Sequence, residues 1–167
     1  MSKKWLWFSL VALTFTFSLS CTQSIKNFKP SNPDEENIKQ VFLDLQEGMN
    51  KQDDDLFDKH FDENITWIGK NVFESKESFR EWRKRNRESD PLAHTRHSNA
   101  SFSNIKINFK SEDTAQVLIR YTDREVRYAL GAPALWEMTL KKVKNGKDKW
   151  VIIKKMSIPK ELEHFYQ

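Results

Sequence analysis

The sequence predicts an α+β domain in which a long N-terminal helix packs in a curved antiparallel sheet. Ile38, Val41, Phe42, Leu45 and Met49 recur at helical spacing, whereas from about Ile105 onward the apolar residues alternate. A single cysteine in 167 residues leaves no disulfide to staple a smaller fold, so an apolar core must hold the chain together. Helices followed by a run of hairpin-linked strands place the helices against one face of an antiparallel sheet.

The chain opens with Lys3 and Lys4, an apolar run from Trp5 to Phe17 broken only by Ser9, Thr14 and Thr16, and small residues leading to Cys21. Basic, then apolar, then small is the order of a secretory signal peptide. The run is about 13 residues, short of the roughly 20 that a helix needs to cross a bilayer, so it targets the chain without remaining as a span. Residues 1–20 are therefore expected to be a signal peptide, 21–33 the cysteine and a tether, and 34–167 the domain. Two prolines, two serines and two asparagines between Thr22 and Pro33 give the tether its composition.

Removing the first 20 of 167 residues leaves 147, the size of one ordinary domain. Taking Lys3 and Lys4 from the 28 Lys and Arg leaves 26 against 24 Asp and Glu, a net charge near +2. That balance does not suit nucleic acid, which calls for a concentrated basic face with aromatic residues set among the charges. No glycine-rich phosphate loop, Ser-His-Asp order or CxxC motif is present, and no cofactor is expected.

Asn32-Pro33-Asp34-Glu35 supplies an N-cap, a proline at the first helical position and a glutamate at the third, opening the helix that ends near Gly48 to Lys51. Asp53-Asp54-Asp55 follows. Adjacent helical positions point in different directions, so these carboxylates are expected to cap a short second helix rather than hold one ion. Leu56, Phe57, His60 and Phe61 would form its apolar edge. Thr66-Trp67-Ile68 reads as a brief strand closed by Gly69, and Ser75 caps a third helix running to about Asn86. Arg80, Arg83, Lys84, Arg85 and Arg87 make that helix basic: either a solvated face or a surface for anionic lipid.

Four longer strands are expected next. Ile105, Ile107 and Phe109 alternate, as do Ala115 to Tyr121, with a turn at Lys110 to Asp113. Phe102 falls on the opposite parity from Ile105, which predicts a bulge. Trp136, Met138 and Leu140 alternate, Asn145-Gly146 turns, and Trp150, Ile152, Met156 and Ile158 alternate up to Pro159. Glu161 to Gln167 is a short tail with helical character.

Two resemblances add to this reading. Ser18-Leu19-Ser20-Cys21 resembles the lipobox of bacterial lipoproteins, with the aliphatic and small positions exchanged. It implies a diacylated Cys21 and a protein anchored in the bacterial cell envelope, periplasmic or surface-exposed. Further on, Gln52-Asp53, Phe61 to Gly69, His97-Ser98-Asn99, Asp113 to Val117, Trp136 to Leu140, Asn145-Gly146, Trp150 to Ile153 and Ser157 resemble the NTF2-like superfamily, especially its SnoaL-like members. That resemblance implies a cone with a pocket at its wide end, often dimeric through the sheet.

Enzymes of this fold hold an acid or base in the pocket, because proton transfer beside a carbonyl requires a group at hydrogen-bonding distance. His97, Asp62 and Tyr121 are the candidate catalytic residues, with His97 as general base or, alternatively, as a structural histidine at the strand start. Phe42, Trp67, His94, Trp136 and Met138 are candidates for the ligand-binding wall or the core. His94 and His97 with Asp62 or Glu63 would make only a thin metal set, and no metal is expected. The leading expectation is a lipid-anchored domain that binds a small apolar or amphipathic ligand, or a protein partner, without turnover. The alternative is an isomerase or dehydratase. A structural module dimerising through the sheet would instead have its pocket filled by Phe42, Trp67 and Trp136.

Overall fold

Asn32 opens the first helix as its chemistry dictates: its side-chain oxygen accepts the Glu35 amide at 2.9 Å, and Glu35 reaches back to accept the Ser31 amide at 2.7 Å. In the computed structural model, which describes residues 23–69, 71–89, 98–123, 134–145 and 147–166, this helix is α1, Pro33–Lys51. Its stripe of Ile38, Val41, Phe42 and Leu45 is buried against the sheet. Gln52, at a positive φ of 56°, ends it.

Gly48 lies where the chain doubles back into α2, Asp54–Asp58. A β-carbon there would meet the Phe57 backbone nitrogen at 2.8 Å, so only glycine allows the two helices this approach. Asp53 caps α2, accepting the Leu56 amide at 2.9 Å. The third helix, α3, covers Lys76–Ser89 and starts from Ser75, whose hydroxyl accepts the Ser78 amide. No described helix is long and apolar enough to cross a membrane.

Among the described residues six strands form one sheet: β1 (Phe61–Ile68), β2 (Val72–Phe73), β3 (Ala100–Ser111), β4 (Thr114–Asp123), β5 (Ala134–Asn145) and β6 (Lys147–Ile158), in the spatial order β2-β1-β6-β5-β4-β3. All neighbours are antiparallel except β1 and β6, which run parallel. The four long strands stand where alternation placed them, and a 3-10 helix, Lys160–Tyr166, follows Pro159. The expected bulge in β3 is present: pairing with β4 shifts between Ser103 and Lys106, and Asn104 adopts a φ of 53°.

Three sequence expectations are corrected. First, β1 begins at Phe61 rather than Thr66, because its pairing with β6 jumps between those residues over the strand-poor Asp62, Glu63 and Asn64. Second, the expected tether is docked from Gln23 to Phe28. Ile25 is fully buried, and Gln23 exchanges hydrogen bonds with Asn104 at the β3 bulge. Burying one isoleucine side chain contributes about 2 kcal/mol, enough to hold a few polar neighbours in place.

Third, the basic residues of α3 serve neither a bare solvated face nor a free basic surface in the case of Arg80, Arg83 and Arg87. They pair with Asp54, Asp55 and Asp58 of α2. His94, His97 and Cys21 lie outside the described residues.

Candidate functional site

Strand β6 builds the site through an irregularity. Leu140 pairs with Ile152, but the next pair is Thr139 with Lys154, so one extra residue enters β6 at this point. Every residue after it changes face. Strict alternation puts Met156 inside; the structure puts Lys155 opposite Met138 and Ser157 opposite Trp136, on the core face, and leaves Met156 on the other.

Across this face the strands contribute one side chain each, in the order Trp67 from β1, Lys155 from β6, Trp136 from β5, Tyr121 from β4 and Phe102 from β3. Trp67 and Trp136 meet edge to face, with ring centres 5.9 Å apart and planes at 69°. The Lys155 ammonium sits in the angle between them, 4.3 Å from the centre of Trp67 and 4.4 Å from that of Trp136. Tyr121 stacks on Trp136 at 4.2 Å, and Phe79 of α3 stacks on Trp67 at 4.2 Å. Phe102 packs edge to face on Trp136.

Lys155 is 2% exposed. Its amine donates to the Ser157 hydroxyl, and among the described residues no carboxylate pairs with it. Burial lowers its pKa from 10.5 to about 7. The two indole faces favour the ammonium by about 1–2 kcal/mol each when water is excluded, which offsets part of that penalty without cancelling it.

Gly69 ends β1 beside this amine. The position a β-carbon would take on Gly69 lies 3.6 Å from the Ser157 hydroxyl, 3.6 Å from the Trp67 indole nitrogen and 3.8 Å from the Lys155 nitrogen. Three polar atoms thus surround one point, and Trp67, Gly69 and Ser157 are each partly exposed. The amine lies one layer beneath the surface.

Of the residues nominated from sequence, Phe42, Trp67, Trp136, Met138 and Tyr121 fall in this aromatic interior. Phe42 and Met138 are fully buried in the core behind the Lys155 corner. The Tyr121 hydroxyl donates to Asp123 at 3.1 Å, a carboxylate also held by the Ser98 hydroxyl and the Asn99 amide. Asp62 stands apart: it accepts the Asn64 amide at the opposite end of β1 from Trp67, roughly 16 Å away at strand spacing. Among the described residues no group of three His, Cys, Asp or Glu side chains is placed to hold a metal ion.

Sequence reasoning missed Lys155. In the run Ile153-Lys154-Lys155-Met156 it reads as a solvent-facing lysine, and the only signal was that strict alternation would carry the equally charged Lys154 inward instead. It also missed Asp123 and a buried pair at the other end of the core. There the His60 ring nitrogen Nε2 lies 2.7 Å from Asp44, while Nδ1 is buried without a partner among the described residues. Burial lowers the pKa of His60 although Asp44 opposes it. Asp44, despite burial, is held below its ordinary value by Lys59, His60 and Gln40.

Comparison with known proteins agrees with this architecture. An NTF2-like protein of unknown function from Shewanella oneidensis MR-1 superposes with a TM-score of 0.62 at 18% identity, covering 74% of this chain and 98% of the other. A cystatin-like-fold protein of unknown function from Nostoc punctiforme PCC 73102 gives 0.60 at 18% identity, over 80% and 97% of the two chains. Aln2 from a Streptomyces species gives 0.62 at 12%, over 83% and 100%. These identities speak for the fold alone. Among proteins of curated function none matches the chain. The model of the SnoaL-like domain matches residues 31–154, from the α1 cap to the strand that carries Lys155, and the chain belongs to that family.

Proposed function

We propose that this domain binds a small amphipathic ligand, aromatic or otherwise apolar and carrying a hydrogen-bond-accepting oxygen, against the row Trp67, Lys155, Trp136 and Tyr121. The observation that carries the reading is Lys155: a buried amine between two indoles with no carboxylate to neutralise it among the described residues. A domain that needed only an apolar core would be more stable with methionine there. An acceptor oxygen brought to the Lys155 amine, the Ser157 hydroxyl and the Trp67 indole nitrogen would satisfy polar groups while the ligand's apolar body meets the rings.

The probe is 2-naphthoate, titrated against the tryptophan fluorescence of the protein. Saturable quenching, weakened at least tenfold in Lys155→Met with the circular dichroism spectrum unchanged, is the expected result. Equal affinity in the two proteins, or no saturable binding, sinks the reading.

A second reading is an isomerase or dehydratase. Its support is an amine that exchanges protons near neutrality, which suits general acid–base work. In that case His97, the base nominated from sequence, or Lys155 would move the proton. An activity that survives His97→Ala but not Lys155→Met would assign the role to Lys155.

We further propose that the chain is anchored in the cell envelope by acylation of Cys21 after removal of residues 1–20. The support is the basic, apolar, small order before the single cysteine. Failure to incorporate labelled palmitate in cells, and its persistence as a soluble secreted species, would refute the anchor.

A further inference from the structure

Three titratable side chains are buried among the described residues: Asp58, His60 and Lys155. Asp58 faces two arginines and His60 faces Asp44, whereas Lys155 faces indole rings and a serine hydroxyl. A buried pair explains itself as structure. An amine kept dry and unpaired has the chemistry of a nucleophile, because only its neutral form carries a lone pair.

We propose that Lys155 captures the carbonyl group of a small aromatic or apolar aldehyde or ketone as a reversible imine, in the angle between Trp67 and Trp136. This rests on the ligand-binding reading above and narrows the ligand to a carbonyl compound. With its pKa lowered to about 7, roughly half of the amine is neutral at pH 7, against about one part in 3,000 for a lysine at 10.5.

The step balances without any redox partner. The Nζ lone pair forms a bond to the carbonyl carbon as the carbon–oxygen π bond opens. A proton passes from nitrogen to that oxygen, giving a carbinolamine. The oxygen then takes a second proton, relayed from solvent by the partly exposed Ser157 hydroxyl, and leaves as water while the nitrogen lone pair closes the C=N bond; the iminium N–H so formed returns one proton by the same route, so none is consumed and the imine is left neutral. Ser157, which accepts from Nζ, is placed to pass the proton, and the Trp67 indole N–H is placed to donate to the oxygen. The point beside Gly69 lies within 3.8 Å of all three atoms, so a reacting oxygen there is in reach of each with small adjustments.

The same geometry supplies a variant that leaves the amine in place. Gly69 does not adopt a left-handed conformation, and a β-carbon fits beside it at ordinary contact distances. A leucine there needs no new backbone conformation at its β-carbon and is expected to fill the approach to Nζ.

In the test, the purified protein is incubated at pH 7 with 2-naphthaldehyde and sodium cyanoborohydride, which reduces an imine to a stable secondary amine. The product is mapped by peptide mass spectrometry. One naphthylmethyl group on Lys155, formed at least tenfold faster than on any other lysine, is expected. The adduct at position 155 is lost in Lys155→Arg and slowed at least tenfold in Gly69→Leu.

The acid analogue 2-naphthoate, which cannot form an imine, is titrated in parallel. If it binds and Lys155 is not labelled, the imine is refuted and the binding site stands. If neither occurs, both readings fall. Labelling of Lys155 no faster than that of the surface lysines, or undiminished in a folded Gly69→Leu protein, also overturns the proposal.

Discussion

Two regions of this molecule bury charge in opposite ways. Along the seam between α2 and α3, Arg83 bridges Asp54 and Asp58 while its guanidinium lies 4.6 Å from the centre of Phe57 and 5.0 Å from that of Phe79. Arg80 adds Asp55 and a second contact to Asp58. At the sheet, Lys155 has comparable aromatic surroundings, Trp67 and Trp136, and no carboxylate among the described residues. Aromatic rings alone do not make burial of a cation free, so the seam is explained by folding and the sheet corner is not. An unrelieved penalty inside a fold is where function is to be sought.

The contrast breaks first at Arg83. Its side chain is 16% exposed and that of Asp58 5%, so Arg83→Met leaves a buried carboxylate with Arg80 alone. Burial already pushes the Asp58 pKa up against the pull of Arg83 and Arg80. Removing one partner of such a pair costs about 3–5 kcal/mol, readable as a lowered urea midpoint. A loss under 1 kcal/mol would mean that the seam is not the structural half of the comparison.

Lys155→Met should go the other way. The fall from 10.5 to about 7 corresponds to at most about 5 kcal/mol, from which the lost indole contacts subtract, so a gain of about 2–4 kcal/mol is expected at pH 7. Between about pH 7 and 10.5 the unfolded chain holds a proton on this lysine that the folded chain does not, so wild-type stability rises with pH across that window. The gain from methionine is therefore largest at pH 7 and below, and shrinks as pH approaches 10.5. Thermal melts of both proteins from pH 6 to 10 read the difference directly. A destabilised Lys155→Met at pH 7 would place Lys155 with the paired charges.

How much of this was legible in the sequence follows the same division. Asp53-Asp54-Asp55 and the arginines of α3 were visible as blocks, and the capping role of Asp53 followed from local chemistry. Their pairing across two helices did not, because it depends on how Gly48 turns α2 back on α1. Trp67 and Trp136 were expected in the wall or the core and stand in the aromatic interior, where Tyr121, expected as a catalytic residue, stacks on Trp136. Lys155 was not legible. Its position depends on one residue inserted into β6, and a single-residue slip exchanges the two faces of a strand. The bulge in β3 could be read because apolar residues on both sides disagreed in parity, whereas the two residues that follow the β6 irregularity, Lys154 and Lys155, are alike and carry no parity signal.

Between the extremes stands the pair of buried His60 and half-buried Asp44, in which the ring's Nδ1 has no partner among the described residues. Burial, opposed by Asp44, lowers the His60 pKa, so the ring is neutral at pH 7 and the stability tied to that neutrality is lost as pH falls below the unfolded value of about 6.5. His60→Gln keeps a donor for Asp44 and removes the titration. It should cost about 1 kcal/mol at pH 7 and flatten the decline of the urea midpoint between pH 7 and 5.5. An unchanged slope would show that His60 does not set it.

The smallest effect isolates burial as the variable. Arg87 belongs to the same seam as Arg83 and pairs with the same Asp54, but its side chain is 40% exposed and its partner's is 29% exposed. Water screens such a pair, and ordering two long side chains offsets much of what attraction remains, so Arg87→Ala should cost no more than about 0.5 kcal/mol. In 1 M salt, where charges are screened over about 3 Å, even that should vanish, while the cost of Arg83→Met persists because salt does not reach Asp58. Denaturation curves for the two variants at low and high salt compare two arginines that share Asp54 but lie at different depths. Equal costs would mean that pairing matters here whatever the depth. The unpaired state of Lys155 would then no longer follow from its burial, and the case for a site at the sheet would rest on the labelling experiment alone.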